Sequence, residues 1–311
     1  MSTRKEDRDA SRRSPIVYDA DRREIVVHGD GNATTKGSAI RVFGNEEYPW
    51  TSILRINLVI LEDGDTTHIG EDFPMFDPNG TSLVDSLRYE GDSGIDQFSN
   101  YTDLRLTANG RQGDDFFLGG GAADDLSGGD GDDTIYGGGG PDVILGGYDD
   151  DLLRGDDGDD VVDGSYGDDE VDGGADDDVL DGGSGDDVLR GRGGDDEMFP
   201  GPGSDRSFAG SGDDLIEEES PQGPDLNLLC GHDGADVLIA SDGGGTINEI
   251  DTELSVGQGG GNDGIGDIVD VSDYSFEGFH VFDYDPNNTF IHVNGTLLLG
   301  GDLPPNSSVD C

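Results

Sequence analysis

From Gly110 to Glu217 an apolar residue returns every nine positions, and a Gly- and Asp-rich stretch fills each interval. Lined up, the frames read GGDGDDTIY (128–136), GGGGPDVIL (137–145) and GGSGDDVLR (182–190), twelve in all without a break. Position 8 is apolar in eleven of them, position 1 is Gly in ten and position 4 is Gly in nine. Position 6 is always Asp: Asp115, Asp124, Asp133, Asp142, Asp151, Asp160, Asp169, Asp178, Asp187, Asp196, Asp205 and Asp214. A turn-rich six-residue piece followed by a three-residue strand, repeated at a fixed period, predicts a solenoid. Each frame then makes half a coil, position 8 points inward, and frames two apart stack directly as parallel strands.

The pattern weakens on either side. Residues 1–14 are polar and mixed in charge, a terminal tail. Residues 15–90 form a β-rich N-terminal cap: IVYDA and EIVVHG flank a turn at Asp21-Arg22-Arg23, and AIRVF and ILRINLVIL follow, with Trp50 among them. The roll is expected over 91–217, because GDSGIDQFS (91–99) already fits the nonapeptide and supplies Asp96. Residues 218–230, with two prolines, read as a loop. GHDGADVLI (231–239) then restores the frame and Asp236. Counting on by nines puts Ile247, Val256 and Ile265 at position 8, and Asp263 restores one turn, so 231–266 reads as degenerate repeats continuing the roll. Residues 267–311 form a C-terminal β cap and tail, with hairpin-turn signals at DPNN (285–288) and Asn294-Gly295.

Composition changes the picture in one respect. Only 32% of the 311 residues are hydrophobic and the formal charge is −54, values that by themselves describe a disordered chain. The period overrules that reading, provided something neutralises the acid. Five of the seventeen basic residues lie in the first thirteen positions and none follows Arg206, so nucleic acid is not an expected partner. No apolar run is long enough to span a bilayer, and the N-terminal Arg-Arg pair has no hydrophobic stretch behind it to form a Sec or twin-arginine signal. Two cysteines, Cys230 and Cys311, leave pairing open. The five histidines are scattered without HExxH, and GxSxG is missing, so no catalytic constellation emerges and the chain is expected not to be an enzyme. Tyr136, Tyr148 and Tyr166 are expected to face outward from strands or turns.

The array itself carries the chemistry. Stacked coils lie about 4.8 Å apart. Facing carboxylates at that spacing repel by roughly 0.9 kcal/mol per pair even in water. Residues 110–217 hold 33 acidic and five basic residues, a net of −28. Carboxylate and carbonyl oxygens are hard donors that suit calcium. Twelve frames offer ten inter-coil pairs, and about ten Ca2+ ions would reduce −28 to −8. Weak frames are visible in advance: Ala122 at position 4 of 119–127, and Pro200 and Ser207 in 200–208.

The nonapeptide GGxGxDxUx resembles the RTX, or hemolysin-type calcium-binding, repeat over more than a third of the chain. The resemblance implies an all-β fold, a right-handed parallel β-roll, here flanked by small antiparallel β caps. It implies calcium ligands at the twelve Asp above and at Asp96, Asp236 and Asp263. Main-chain oxygens would be made available by Gly129, Gly131, Gly138, Gly140, Gly147, Gly158, Gly167, Gly183, Gly185, Gly194 and Gly212, where glycine permits positive φ. It further implies a secreted, extracellular, non-enzymatic monomer that folds on calcium and leaves the cell by a type I route. Two alternatives stay open: a calcium-stiffened adhesin or matrix protein binding polysaccharide or a cell surface, and an accessory module of a polysaccharide-acting enzyme.

Overall fold

The computed structural model describes residues 16–28, 38–43, 53–62, 65–74, 82–91, 93–220, 226–233, 236–242, 246–251, 268–271, 281–282, 290–293 and 296–299. Among these the fold is all β, with no helix. One sheet has fourteen strands and the other thirteen, and successive frames alternate between them. Partners in neighbouring coils are 18 residues apart: Leu126 lies beside Ile144 in one sheet, and Ile135 beside Leu153 in the other. Both pairings are parallel. The architecture is therefore the expected β-solenoid of stacked coils.

The expected inward position is the core. Phe117, Leu126, Ile135, Ile144, Leu153, Val162, Val171, Leu180, Leu189, Met198 and Ile216 are all buried, and they form one continuous hydrophobic cluster between the sheets. Ser207 occupies the same column between Leu189 and Leu229, and its buried hydroxyl has no hydrogen-bond partner. At the N-terminal end the thin aliphatic core thickens into aromatic packing, with the Tyr89 ring 5.2 Å from Phe98 and 5.8 Å from Phe117.

The antiparallel elements extend the sheets from their ends. Strand Ile16–Asp19 pairs antiparallel with Glu24–His28, which runs parallel to Ser86–Glu90. In the other sheet Ser38–Phe43 runs parallel to Gln97–Tyr101 and antiparallel to Ile53–Glu62, which pairs antiparallel with Asp65–Pro74. Each sheet thus receives its own antiparallel terminator. Trp50 lies outside the described residues.

Three local expectations come out differently. The stretch 218–230 carries strand at both ends, within Leu215–Ser220 and Leu226–Asp233, and Leu229 pairs with Ser207 in the core column. The two prolines dominate the local signal there, whereas the apolar run LNLLC supplies the coil. Beyond it Leu229 pairs with Ile250, not Ile247: the coil is already 20 residues long at Asn227 and Ile247, and a register shift between Asn227 and Leu228 adds one more. In the other sheet Val269 pairs with Leu238. Val256 and Ile265 fall outside the described residues. Finally, Val281–Phe282 and Phe290–Val293 belong to opposite sheets, so DPNN does not join a hairpin. Asn294-Gly295 does lie between antiparallel partners, Phe290–Val293 and Thr296–Leu299.

Candidate calcium-binding columns

The sixth-position aspartates gather into two columns, one along each edge of the roll. Asp96, Asp115, Asp133, Asp151, Asp169, Asp187 and Asp205 form one. Asp124, Asp142, Asp160, Asp178, Asp196, Asp214 and Asp236 form the other. In each column every backbone N–H before the last donates to Oδ1 of the Asp in the following coil, over 2.6–3.1 Å. The second column begins at Leu106, whose N–H donates to Asp124 Oδ1 at 2.7 Å. Main-chain carbonyls are committed too: Asp115 accepts from Thr134 N–H and Asp160 from Val179 N–H, both at 2.8 Å. The step from Asp214 to Asp236 spans 22 residues rather than 18, so the column continues past the extra residues between them.

What is left over is the second carboxylate oxygen. All fourteen aspartates are buried, and ten of them, Asp214 and every one from Asp124 to Asp196, hold a buried Oδ2 without a hydrogen-bond partner. Removing a carboxylate from water without replacing its hydration favours the neutral form. Burial accordingly pushes Asp124, Asp133 and Asp196 up to about 7, Asp142, Asp151, Asp178 and Asp187 to about 8, and Asp160, Asp169 and Asp214 to about 6. The amide of the preceding coil opposes that shift, but burial outweighs it. For most of them neighbouring carboxylates push the same way.

Glycine shapes this site in two ways. Position 2 has positive φ in all twelve frames, even at Arg111, Asp156, Ser165 and Arg192. Position 4 does in ten, including Asp149 and Asp176. The two frames whose fourth residue leaves this region are 119–127, with Ala122, and 200–208, with Gly203, the frames marked as weak from sequence. Gly129, Gly131, Gly138, Gly140, Gly147, Gly158, Gly167, Gly183, Gly185, Gly194 and Gly212 are all left-handed, and each faces main-chain atoms of the coil before it. A Cβ on Gly158, for example, would stand 2.5 Å from the Gly140 carbonyl oxygen.

Position 1 needs glycine for space. A Cβ on Gly155 would fall inside contact distance of Asp160 Oδ2 and 2.6 Å from the Gly173 carbonyl oxygen, and the same clash recurs from Gly110 to Gly191. The first-position glycines thus hold open the cradle around each orphaned oxygen, a role the sequence reading did not assign.

The fifth-position aspartates build a second, exposed ladder of opposite sense. Asp168 N–H donates back to Asp150 Oδ1 at 2.9 Å, and Asp195 N–H to Asp177 Oδ1 at 2.8 Å. Among the described residues no three His, Cys, Asp or Glu side chains converge on one point. A cation in the columns would therefore be held by aspartate Oδ2 together with main-chain oxygens, a hard all-oxygen donor set that suits calcium. The buried orphaned oxygens fit such an ion. Asp263 lies outside the described residues. Cys230 is buried and disulfide-bonded, while Cys311 is outside the described residues.

No curated protein and no solved structure matches the chain. The family model of the RTX calcium-binding nonapeptide repeat (4 copies) matches it over residues 109–144, 136–171, 145–180, 163–198, 172–206 and 199–217. The stacked coils of residues 109–217 are RTX calcium-binding repeats.

Proposed function

We propose that calcium drives the folding of this protein, as a secreted, non-enzymatic β-roll. The observation that carries the reading is the row of buried aspartate Oδ2 atoms without partners, repeated in nine successive frames from Asp124 to Asp196. A buried carboxylate without compensation is costly. Rows of them, with −28 over residues 110–217, oppose the folded state unless cations sit between the coils. Ten steps between stacked aspartates lie within the array, and two more join Asp96 and Asp236 to it. About ten Ca2+ ions would occupy them, held by Oδ2 and main-chain oxygens, and would supply positive charge in place of lost hydration.

Binding and folding are then one event, because the site exists only when coils stack. Low intracellular calcium leaves the chain expanded for export by a type I route, and extracellular calcium locks the roll. Circular dichroism during calcium titration tests this. The β signal is expected to rise cooperatively from an expanded chain in EDTA. A chain already β-rich in EDTA at neutral pH, unchanged by calcium, overturns the reading.

A further inference from the structure

The two outer faces of the roll differ in a way that calcium-driven folding does not require. In one sheet, the strands from Asp125–Asp130 to Leu215–Ser220 carry six acidic residues and no basic one among the described side chains. In the other, the strands from Phe116–Gly120 to Arg206–Ser211 carry four of each sign, including Arg154, Arg190, Arg192 and Arg206. Those four are all but one of the basic residues in the array.

The acidic face also bears an exposed apolar patch. Val143, Leu145, Tyr148, Val161 and Tyr166 lie on two adjacent strands and are each 40–56% exposed. The Tyr148 and Tyr166 rings stack at 5.0 Å with planes 7° apart, a spacing set by the coil repeat. Nothing in the inward packing explains these residues, and a contiguous apolar patch on so polar a surface marks an interaction site. The opposite face has aromatic groups of its own, half-covered by arginine: Arg154 lies 6.0 Å from the Tyr136 ring and Arg206 lies 5.4 Å from the Phe208 ring.

We propose that the acidic, tyrosine-bearing face of one roll docks on the arginine-bearing face of a second copy. Two observations select that occupant. Charge selects the opposite face: the acidic face, which has no base, would meet a second acidic face as like charges, whereas the arginine-bearing face is balanced, with Arg190 paired to Glu170 and Arg192 to Asp172. Pitch is also identical, because both faces repeat once per coil at about 4.8 Å. Side-chain rows can therefore interleave coil for coil, as between packed sheets about 10 Å apart. An unrelated partner would share that pitch only by coincidence. The two faces are different surfaces on opposite sides of the roll, so the contact is heterologous and does not close. It gives open stacks rather than a dimer. The inference rests on the calcium reading, since the faces exist only when the coils are stacked.

Sedimentation velocity in calcium, with circular dichroism on the same samples, tests both parts separately. The folded chain is expected to grow past two copies as concentration rises to about 0.1 mM, the range of weak specific contacts. Val143→Gln with Val161→Gln spoils one face without adding a charge, and Arg190→Glu with Arg206→Glu spoils the other, all at outward-facing positions. Each double variant alone should stay monomeric with an unchanged dichroism spectrum. Mixed together they should form a one-to-one pair and stop there, because each retains the face the other lacks. A folded wild-type chain that stays monomeric overturns the proposal and leaves the calcium reading standing. So does a closed dimer sensitive to only one double variant. Saturable binding of an oligoarginine peptide to a persistently monomeric roll overturns it too, by giving the acidic face to a basic partner. A calcium-insensitive spectrum overturns the calcium reading, while sedimentation of whatever folded chain is present still decides association.

Discussion

Asp160→Asn separates the two jobs of a sixth-position carboxylate. Oδ1 accepts the Asp142 amide at 2.7 Å, and Oδ2 is buried without a partner. Asparagine keeps the shape and the Oδ1 acceptor but removes the charge and places an amide donor where Oδ2 stood. Burial raises Asp160 from 3.8 to about 6. At about 1.4 kcal/mol per pH unit, its ionised form opposes folding by roughly 3 kcal/mol when no cation is present. Losing the charge therefore does not itself destabilise the roll; losing the ion does. Asp160 touches two inter-coil steps, toward Asp142 and toward Asp178. Each ion released on unfolding contributes about 1.4 kcal/mol of stability per tenfold rise in calcium above its dissociation constant. The variant is expected to lose two such ions, so its slope of stability against log calcium falls by about 3 kcal/mol per decade. Urea unfolding followed by circular dichroism, at neutral pH and a series of calcium concentrations, measures that slope. Asp163→Asn, at the half-buried ninth position where the carboxylate accepts only the Ser165 hydroxyl, should leave it unchanged. If Asp160→Asn lowers stability equally at every calcium concentration, the carboxylate is a hydrogen-bond acceptor and nothing more, and the column does not bind calcium.

Four other outcomes follow from the same geometry. Raised carboxylates stabilise the fold when protonated, a contribution complete below the unfolded value of 3.8 and lost as pH climbs through about 6 to 8. In EDTA the β signal should therefore be stronger in mild acid than above neutrality, and a signal that instead weakens on acidification contradicts the burial argument. Gly155→Ala should cost about 1–3 kcal/mol in calcium by crowding Asp160 Oδ2 and the Gly173 carbonyl, read by urea unfolding. Ser207→Val replaces a buried, unpartnered hydroxyl between Leu189 and Leu229, so it should raise the unfolding midpoint by an amount equivalent to about 1–3 kcal/mol. Hydrogen exchange during stepwise calcium removal should open frames 119–127 and 200–208 first, since their fourth residues alone leave the left-handed region.

Period and direction were not equally legible in the sequence. Phe117 to Ile216 could be assigned to the interior because an apolar residue every nine positions has no other use, and the Asp columns followed from the same count. The depth of the aspartates did not follow. A letter at position 6 gives the place on the coil but not the inward turn of its side chain, so counting yields facing charges without their depth, and the structure buries all of them. First-position glycine was hidden for the same reason, since Gly155 is required by a side chain five residues ahead rather than by its own φ. Past Glu217 the count failed because pairing, not numbering, sets register. A coil two residues longer than the repeat, together with the one-residue shift at Asn227/Leu228, puts Ile250 in the place that simple addition assigned to Ile247.

The pattern of hydrogen bonds also says how the roll assembles. Each interior aspartate gives its N–H to the coil after it, and its Oδ1 takes the N–H of the coil before it, as Asp160 does with Asp178 and Asp142. A coil cannot place its own carboxylate before both neighbours are present. Stability therefore resides in the contacts between coils, and the chain behaves as a one-dimensional array of nearest-neighbour couplings. The longest run without a weak frame is 128–199, eight frames bounded by Ala122 on one side and by Pro200 and Gly203 on the other. Folding should start within that run, where no step lacks its left-handed turn, and spread outward. The antiparallel strands at Ile16–Asp19 and Thr296–Leu299 then close the two ends of one sheet, where a further coil would otherwise add.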